Sequence, residues 1–147
     1  MSQPRRSRLI ILFWRFHRWI FDISNGRIGS TLMGHKVLKL TTTGRHSGEP
    51  RAILIYYFLY QTSYVIVASN LGSEHHPAWY LNLRENPAAE IQIGKERINV
   101  EARTAIAEER EKVWSAIIKA EESYITYQDQ TMRQFPLVIL DLIKFRP

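Results

Sequence analysis

The pattern of hydrophobic and polar residues predicts an amphipathic helix near the start of the chain, over residues 6–23. Apolar side chains recur there every three to four positions, which is the period of one helical face. The apolar face comprises Leu9, Leu12, Phe13, Phe16, Trp19, Ile20 and Ile23. The narrow opposite stripe comprises Arg8, Ile11, Arg15, Arg18 and Asp22. Ser24-Asn25-Gly26 ends the helix, because Asn and Gly readily adopt left-handed backbone.

Beyond a glycine-containing loop that extends to Gly34, the pattern changes to short runs of β-branched and apolar residues between polar turns. These runs predict six strands, at residues 37–43, 52–60, 64–69, 89–93, 97–105 and 137–145. Helical segments are predicted at residues 77–84, 107–120 and 121–133, the last as a helix or a helical turn. Short strands with interposed helices predict an α+β fold around a small barrel.

The length of 147 residues fits one domain and is too short for two hydrophobic cores of ordinary size. No internal repeat, low-complexity tract or linker interrupts the sequence. We therefore divide the chain into an N-terminal amphipathic helix, residues 1–24, and one barrel domain, residues 25–147.

The formal net charge of +6 favours anionic partners, which include a phosphorylated cofactor, a lipid headgroup and a nucleic acid. The arginines gather at the N-terminus and at one turn rather than along a groove, so we do not expect nucleic-acid binding. The absence of cysteine excludes disulfides, thiolate metal sites and cysteine nucleophiles. His75 and His76 are adjacent, but no carboxylate–histidine spacing accompanies them, and we predict no metal site.

The N-terminal segment predicts neither a signal peptide nor a spanning helix, because Arg15, His17 and Arg18 interrupt its apolar run. A spanning helix needs about 20 mostly apolar residues. We therefore expect a cytoplasmic protein. Two interpretations of the helix remain open. In the first, the apolar face lies on the anionic inner face of the cell membrane, and the arginines at positions 5, 6, 8, 15 and 18 contact the lipid headgroups. In the second, the apolar face packs on the barrel.

The first chemical signal is the stretch TTTGRHSGEPR at residues 41–51. It places hydroxyl groups, two glycines, two arginines and one histidine at a single turn between strands. Guanidinium groups and free backbone N–H groups bind anions well, so the stretch predicts an anion site. A solvated polar hairpin turn has the same composition and is the alternative.

The second signal is the stretch ASNLGSEHHPAWYLNL at residues 68–83. A strand ends there in a polar, glycine-containing loop, and the loop leads into a helix. The N-terminus of a helix in this position can receive an anion or a polarised carbonyl group.

Together these stretches resemble the deazaflavin-dependent nitroreductase family of actinobacteria and their relatives. The matching motifs are LTTTGR at residues 40–45, Ser47-Gly48, Pro50-Arg51, PAWYLNL at residues 77–83 and Asn86-Pro87. The resemblance extends from about Leu38 to the final strand. It implies a split β-barrel related to FMN-binding and flavin-reductase-like proteins. It also implies coenzyme F420, in its reduced form F420H2, as the cofactor.

The resemblance further implies the residues of the site. The anionic tail of the cofactor is expected at Arg45, His46, Ser47 and Arg51, and the second strand is expected along the cofactor with Ala52, Ile53, Leu54, Ile55 and Tyr56. Contacts with the deazaflavin are expected from Val67, Ala68, Ser69, Asn70, Ala78, Trp79, Tyr80, Leu81, Asn82 and Tyr124. The expected catalytic residues are Ser69, Tyr124 and Tyr127, as hydrogen-bond donors to the acceptor.

The implied activity is hydride transfer from F420H2 to an electrophilic acceptor such as a quinone, an enone or a nitro compound. Tyr124 and Tyr127 are spaced to share one helical face, although aromatic residues in this spacing also serve as core. The alternatives are an FMN- or haem-binding relative and a non-catalytic carrier of lipid or fatty acid. Whether the protein is a monomer or a dimer stays open.

The chain departs from the family at three places. His46 stands where lysine is common, Asn70-Leu71 replaces a Lys-Gly pair, and Glu121 replaces a substrate-side tyrosine of some nitroreductases. We therefore expect the cofactor site to be better preserved than the substrate site.

Overall fold

The computed structural model of the chain describes residues 8–32 and 34–143. The helices are α1 (Arg8–Ile23), α2 (Ala78–Glu85), α3 (Ala107–Ala120) and α4 (Ser123–Asp129). The strands are β1 (Thr31–Leu32), β2 (His35–Thr43), β3 (Pro50–Tyr56), β4 (Phe58–Tyr60), β5 (Ser63–Val67), β6 (Ala88–Ile93), β7 (Glu96–Thr104) and β8 (Leu137–Leu142). One turn of 3-10 helix, Asn70–Gly72, lies between β5 and α2.

The strands pair antiparallel and form one curled sheet. Their order is β3-β2-β6-β7-β8-β5-β4, and β1 pairs with the start of β2. The two outermost strands of this order, β3 and β4, are joined in the chain by Tyr57 alone, so the sheet bends until its ends meet. The prediction of an α+β split β-barrel with flanking helices is confirmed.

The structure corrects the predicted number of strands. Residues 52–60 are not one strand, because the chain pairs with β2 up to Tyr56 and with β5 from Phe58 onward. Tyr57 forms the corner, and its N–H still donates to the carbonyl of Lys36 (3.2 Å). A hydrophobic pattern does not record which neighbour a strand pairs with, and β1 is too short to leave a pattern. The described residues therefore contain eight strands instead of six.

The other predicted elements are present with shifted ends. The segment predicted as helical over residues 121–133 forms a helix only over α4. The predicted start of the first helix, at residues 6 and 7, and the predicted end of the last strand, at residues 144 and 145, lie outside the described residues.

Strand β8 is buried on both faces, which explains its uninterrupted apolar sequence. Val138 and Leu140 pack in the barrel core with side chains of α2. Leu137 and Ile139 pack in a second core with side chains of α3 and α4. Complete burial of one aliphatic side chain stabilises the fold by about 1.5–3 kcal/mol. The two helices that border the site described below, α2 and α4, are thus attached to opposite faces of one strand.

Helix α1 is attached to the barrel by a narrow edge. Phe21 is fully buried beneath the helix, and the Arg18 guanidinium donates to the carbonyl of Ala52 (2.8 Å). The apolar side chains that face solvent are Leu9, Ile10, Ile11, Leu12, Phe13, Phe16, Trp19 and Ile23, with exposed fractions between 41% and 78%. The interpretation in which the apolar face packs on the barrel is therefore wrong. None of the helices in the described part of the chain has the length and apolar character needed to span a bilayer.

Candidate functional site

A cleft of about 230 Å³ opens between the β2–β3 turn and the start of α2. It is lined by Thr42, Gly44, Arg45, His46, Ser47, Arg51, Ile53, Ala78, Trp79 and Asn82, and we call it the arginine cleft. All of these except Thr42 and Gly44 belong to the residues that the resemblance implied for the cofactor. The fold therefore brings together the two sequence stretches that carried the chemical signal.

The buried side chain of Asn82 connects the walls of the arginine cleft. Its Nδ2 donates to Oγ1 of Thr42 (3.1 Å), and its Oδ1 accepts from the backbone N–H of Arg45 (3.2 Å) and from its guanidinium (3.0 Å). The same guanidinium lies 3.5 Å from the carbonyl oxygen of Ala78. One amide group on α2 thereby positions both β2 and the turn that follows it.

The turn between β2 and β3 is tight and leaves hydrogen-bond donors available. The N–H of Gly44 donates to the carbonyl of Glu49 (2.8 Å), and the N–H of Gly48 donates back to the carbonyl of Gly44 (2.7 Å). A Cβ atom at Gly44 would lie 2.7 Å from Oγ of Ser47 and 3.1 Å from the carbonyl oxygen of Glu49, so the turn leaves little room for a side chain there. Within residues 8–32 and 34–143, no acceptor pairs with the backbone N–H of His46 or Ser47. Such free donors in a turn favour an anion.

The two arginines beside this turn have no carboxylate partner in the part of the chain that is described. The Arg51 guanidinium donates to Oγ of Ser47 (3.3 Å), and Arg45 is held by Asn82. Both side chains are exposed at the cleft. Because no carboxylate of the described residues neutralises their charge, the cleft is suited to an oxyanion such as a phosphate or a carboxylate.

The loop between β5 and α2 is held by Arg133, which the sequence analysis missed. The guanidinium of Arg133 donates to the carbonyls of Ser69 (2.7 Å), Ser73 (2.8 Å) and Ala68 (3.0 Å), and it lies 3.2 Å from Nδ1 of His76. Ser73 and Ala68, which supply two of these carbonyls, lie 60 and 65 residues from Arg133 in the sequence. No local pattern could have indicated this role, because only the tertiary fold brings the groups together.

The same loop carries backbone strain and contacts α4. Asn70 and Leu71 have φ values of 46° and 55°, in the left-handed region that favours glycine. The replacement of the Lys-Gly pair by Asn70-Leu71 therefore places a strained leucine in the loop. A Cβ atom at Gly72 would lie 3.0 Å from the carbonyl oxygen of Tyr127, so the turn packs directly on α4.

Five ionisable side chains gather between β2, β3 and α4. We call this group the tyrosine cluster, and it consists of His35, Tyr56, Glu121, Tyr124 and Tyr127. Nε2 of His35 lies 2.5 Å from Oε2 of Glu121, and the His35 and Tyr56 rings are 5.1 Å apart. The rings of Tyr124 and Tyr127 are 6.3 Å apart.

The electrostatics of the tyrosine cluster raise the pKa of two of its hydroxyl groups, those of Tyr56 and Tyr124, and keep them protonated. Burial raises the pKa of Tyr124 far above its ordinary value, and the negative charge of Glu121 raises it further. Burial also raises the pKa of Tyr56, again with a contribution from Glu121. Hydrogen bonds from the hydroxyl and backbone N–H of Ser123, together with His35, hold the pKa of Glu121 below its ordinary value. A carboxylate therefore stands beside neutral phenols, which can donate hydrogen bonds.

Comparison with known proteins identifies the family. Residues 13–141 match the family model described as F420H(2)-dependent quinone reductase. An F420H(2)-dependent quinone reductase of Mycobacterium tuberculosis is 35% identical over 130 residues, which cover 86% of this chain and 87% of the relative. The chain belongs to the F420H(2)-dependent quinone reductase family. The expectation of an F420H2-dependent oxidoreductase with coenzyme F420 as its cofactor is thereby confirmed.

Two solved structures are similar to this quinone reductase family member. One is described as an F420-H2 dependent reductase (FDR-A). It is 34% identical with a TM-score of 0.66, covering 71% of this chain and 93% of that chain. The other is described as a domain-swapped dimer. It is 29% identical with a TM-score of 0.69, covering 89% of this chain and 99% of that chain.

Strand alternation separates the residues of β3 that the resemblance placed along the cofactor. Ile53 lines the arginine cleft, and Ile55 packs against the barrel core. Leu54 is buried with α1, and the carbonyl of Ala52 accepts from α1. Tyr56 belongs to the tyrosine cluster. Successive side chains of a strand point to opposite faces, so five consecutive residues do not line one cleft.

The remaining predicted residues lie beside the cleft or in the cores. Val67 packs in the core of α3 and α4, and Ala68 packs in the barrel core. Ser69 and Asn70 begin the loop that Arg133 holds. Tyr80 and Leu81 are half-buried on α2 and do not line the arginine cleft. In the described residues, no group of three or more His, Cys, Asp or Glu side chains is arranged to hold a metal ion.

Proposed function

We propose that this chain reduces quinones, with F420H2 bound by its anionic tail at the arginine cleft and its ring toward the loop at Ser69. The observation that carries the proposal is a pair of guanidinium groups that have no carboxylate partner among the described residues, beside a turn whose N–H donors have no acceptor there. The tail of F420 contains a phosphate and carboxylates. Arg45, Arg51, and the backbone of His46 and Ser47 would hold these groups through charge-assisted hydrogen bonds.

When bound, the reduced deazaflavin supplies a hydride to an electrophilic acceptor. The residues of the chain then have to stabilise the negative charge that develops on the acceptor oxygen. Ser69, Tyr124 and Tyr127 are our proposed donors to that oxygen. Their support is the contact between the Gly72 turn and α4, which places the loop that begins at Ser69 beside the helix with both tyrosines.

The test is a titration of the purified full-length chain with oxidised and reduced F420, followed by assay with menadione. We expect saturable binding of the cofactor and oxidation of F420H2 that depends on the quinone. An FMN or haem chromophore that copurifies and resists exchange by F420 would contradict the proposal. Tight binding of F420H2 without reduction of any quinone, enone or nitro acceptor would favour a carrier instead.

We also propose that residues 1–24 form a unit that lies on an anionic lipid surface while residues 25–147 form the barrel. The supporting observation is the outward apolar face of α1, where Phe16 and Trp19 are each 58% exposed. Aromatic and aliphatic side chains flanked by arginines suit the interface between headgroups and acyl chains. Arg5 and Arg6, which contribute to the predicted basic flank, lie outside the described residues.

Cosedimentation with vesicles of phosphatidylglycerol, compared with phosphatidylcholine, tests this surface. We expect the full chain to bind the anionic vesicles, and the double variant Phe16→Gln/Trp19→Gln to lose that binding while its thermal midpoint stays unchanged. A wild type that ignores anionic vesicles contradicts the proposal. If light scattering then gives a dimer that the double variant dissociates, a second copy of the chain covers the apolar face.

A further inference from the structure

We propose that the His35–Glu121 pair supplies the proton that the acceptor needs after hydride transfer, with the hydroxyl of Tyr56 as its outlet. The inference rests on the proposed quinone reductase function. The juxtaposition that carries it is an imidazole bonded to a carboxylate at 2.5 Å and packed against a tyrosine ring at 5.1 Å.

The pair is built by the tertiary fold. His35 is the first residue of β2, and Glu121 is the residue between α3 and α4. The carboxylate has a bond at each oxygen, because Oε1 accepts from the backbone N–H of Ser123 (3.2 Å) and Oε2 faces His35. With the carboxylate fixed in this way, Nε2 of His35 carries the hydrogen and donates it to Glu121.

The position of the pair gives it access to both solvent and the tyrosines. The His35 and Glu121 side chains are each 26% exposed, so the imidazole can regain a proton from water. On its other side, the imidazole contacts Tyr56 of β3. Among the described residues, Tyr124 and Tyr127 of α4 are further ionisable groups beside the pair, and their hydroxyls interact electrostatically with Glu121 or Tyr56. From α1, Trp14 packs on Tyr56 and separates it from His17.

The proton step balances the proposed reaction. A quinone that gains a hydride, which carries two electrons, becomes a hydroquinone anion and needs one proton. The O–H bond of Tyr56 breaks as a new O–H bond forms on the acceptor. In the proposed step His35 starts as an imidazolium paired with the Glu121 carboxylate. It gives the proton on its other ring nitrogen to the phenolate of Tyr56, becomes a neutral imidazole that still donates to Glu121, and regains a proton from solvent. The products are a neutral hydroquinone and the oxidised cofactor, and the protein returns to its starting state.

The pair also explains why a glutamate is tolerated where some nitroreductases resembling this chain place a substrate-side tyrosine. A lone carboxylate at that position would repel the negative charge that develops on the acceptor. Paired with His35, Glu121 is bonded to a proton donor, and the pair adds a source of protons in place of the missing hydroxyl.

The test compares the wild type with His35→Gln, Glu121→Gln and the double variant, and Glu90→Gln is the matched control. Glu90 lies on β6, where its carboxylate is 3.9 Å from the guanidinium of Arg97. General acid catalysis contributes about 10²–10⁴-fold, so we expect kcat with menadione to fall about hundredfold in each single variant. The double variant should fall no further, because the two residues act as one unit. Cofactor affinity and the thermal midpoint should stay unchanged.

Two further readouts separate proton supply from simple packing. The alkaline decline in kcat of the wild type should disappear in His35→Gln, because this variant lacks the imidazole that gives up the proton. It should shift in Glu121→Gln, because this variant keeps the imidazole and removes the carboxylate that pairs with it. In the cofactor-free protein, an ultraviolet titration should show tyrosine ionisation at lower pH in Glu121→Gln, because a negative charge beside Tyr56 and Tyr124 is gone. Glu90→Gln should match the wild type in both measurements.

The outcomes distinguish this inference from the proposed function. A wild type that reduces quinones, with variants that retain its kcat and its pH profile, overturns the proton supply and leaves the function intact. A wild type that fails to oxidise F420H2 with any quinone overturns both the proton supply and the proposed function. A variant that loses activity because it unfolds is recognised by its lowered thermal midpoint. His35→Gln is a second check, because it keeps the Glu121 carboxylate.

Discussion

The arginine cleft and the tyrosine cluster lie at the two ends of the loop held by Arg133, and they are built in different ways. The cleft is fixed by short polar bonds, with Asn82 of α2 bonded to Thr42 and Arg45. The tyrosine cluster is fixed by ring packing and one ion pair, in which His35 of β2 meets Glu121 after α3. The cleft offers permanent positive charge, whereas the cluster offers neutral donors and a group that can change its charge.

In the function that we propose, this difference separates binding of the cofactor from the chemistry. An anionic tail needs cations and N–H groups that do not titrate near neutral pH, and arginine satisfies this requirement. A developing negative charge on an acceptor needs donors that hold a proton until hydride arrives. Changes in the cleft should therefore alter the dissociation constant of F420, and changes in the cluster should alter kcat.

The largest effect should follow from Tyr124→Phe, which keeps the buried ring and removes only the hydroxyl. Loss of one oxyanion donor costs roughly 2.7–4 kcal/mol, so kcat with menadione should fall about a hundredfold to a thousandfold. Cofactor affinity, measured by fluorescence titration, should stay nearly constant. Tyr60→Phe, on β4 outside the cluster, is the matched control. If Tyr124→Phe, Tyr127→Phe and Ser69→Ala all retain the full rate, the acceptor binds elsewhere.

A slightly smaller effect is expected from Asn82→Ala, which should weaken both the fold and the cofactor site. The change leaves Thr42 and the backbone N–H of Arg45 without their partner, and an unsatisfied buried group costs about 1–3 kcal/mol. We expect roughly 3 kcal/mol less stability in urea denaturation and weaker binding of F420. Asn99→Ala, on an exposed position of β7, should leave both quantities unchanged. Unchanged stability in Asn82→Ala would contradict the role of this amide.

Removal of either guanidinium from the cleft should weaken cofactor binding without slowing the chemistry at saturation. Loss of one charge-assisted contact costs about 1.5–3 kcal/mol, which raises the dissociation constant roughly tenfold to hundredfold. Arg45→Ala and Arg51→Ala should show this effect in titrations, and added salt should reproduce part of it in the wild type. Arg97→Ala, an exposed arginine of β7, is the control. Wild-type affinity in both cleft variants would reject the cleft as the tail site.

The arginine cleft was more predictable from sequence than the tyrosine cluster. Arg45, Ser47 and Arg51 occur in one continuous turn, so their proximity follows from the chain itself. The motif beginning at Pro77 marked α2, although the contact between Asn82 and Thr42 required the fold. The His35–Glu121 pair left no pattern, because strand pairing and the packing of α4 bring together residues that are far apart in sequence.

The alternation of side chains along a strand and the choice of neighbouring strands account for most of what the sequence did not predict. A motif match assigned residues 52–56 to one role, but Leu54 packs with α1 while Ile53 lines the cleft. The corner at Tyr57 and the two-residue β1 depend on which strands become neighbours. The outward apolar face of α1 also required the structure, since an amphipathic pattern gives a face but not its direction.

The smallest effect is expected at His76, on the loop between the two regions. Burial lowers the pKa of His76, and the charges of Arg133 and Arg84 lower it further, while the Tyr80 ring packs 4.9 Å away. The unfolded chain therefore binds more protons than the folded one, so the contribution of this group to stability is complete above its ordinary pKa and is lost as pH falls below it. The loop that Arg133 holds should open more often at about pH 5 than at about pH 8.

Hydrogen exchange of the amides at residues 69–76, corrected for the intrinsic effect of pH, measures this opening. The wild type should lose protection on acidification, because protonated His76 no longer accepts from Arg133 at Nδ1. His76→Gln keeps an acceptor for Arg133 and should remove the pH dependence, while His75→Gln, on the exposed neighbouring position, should retain it. If His76→Gln loses protection on acidification as the wild type does, another group controls the loop. If His76→Gln keeps its protection at low pH, it should also bind the cofactor more tightly than the wild type there, by the amount that the loop contributes to binding. This difference separates the contribution of the loop from that of the permanent charges of the arginine cleft.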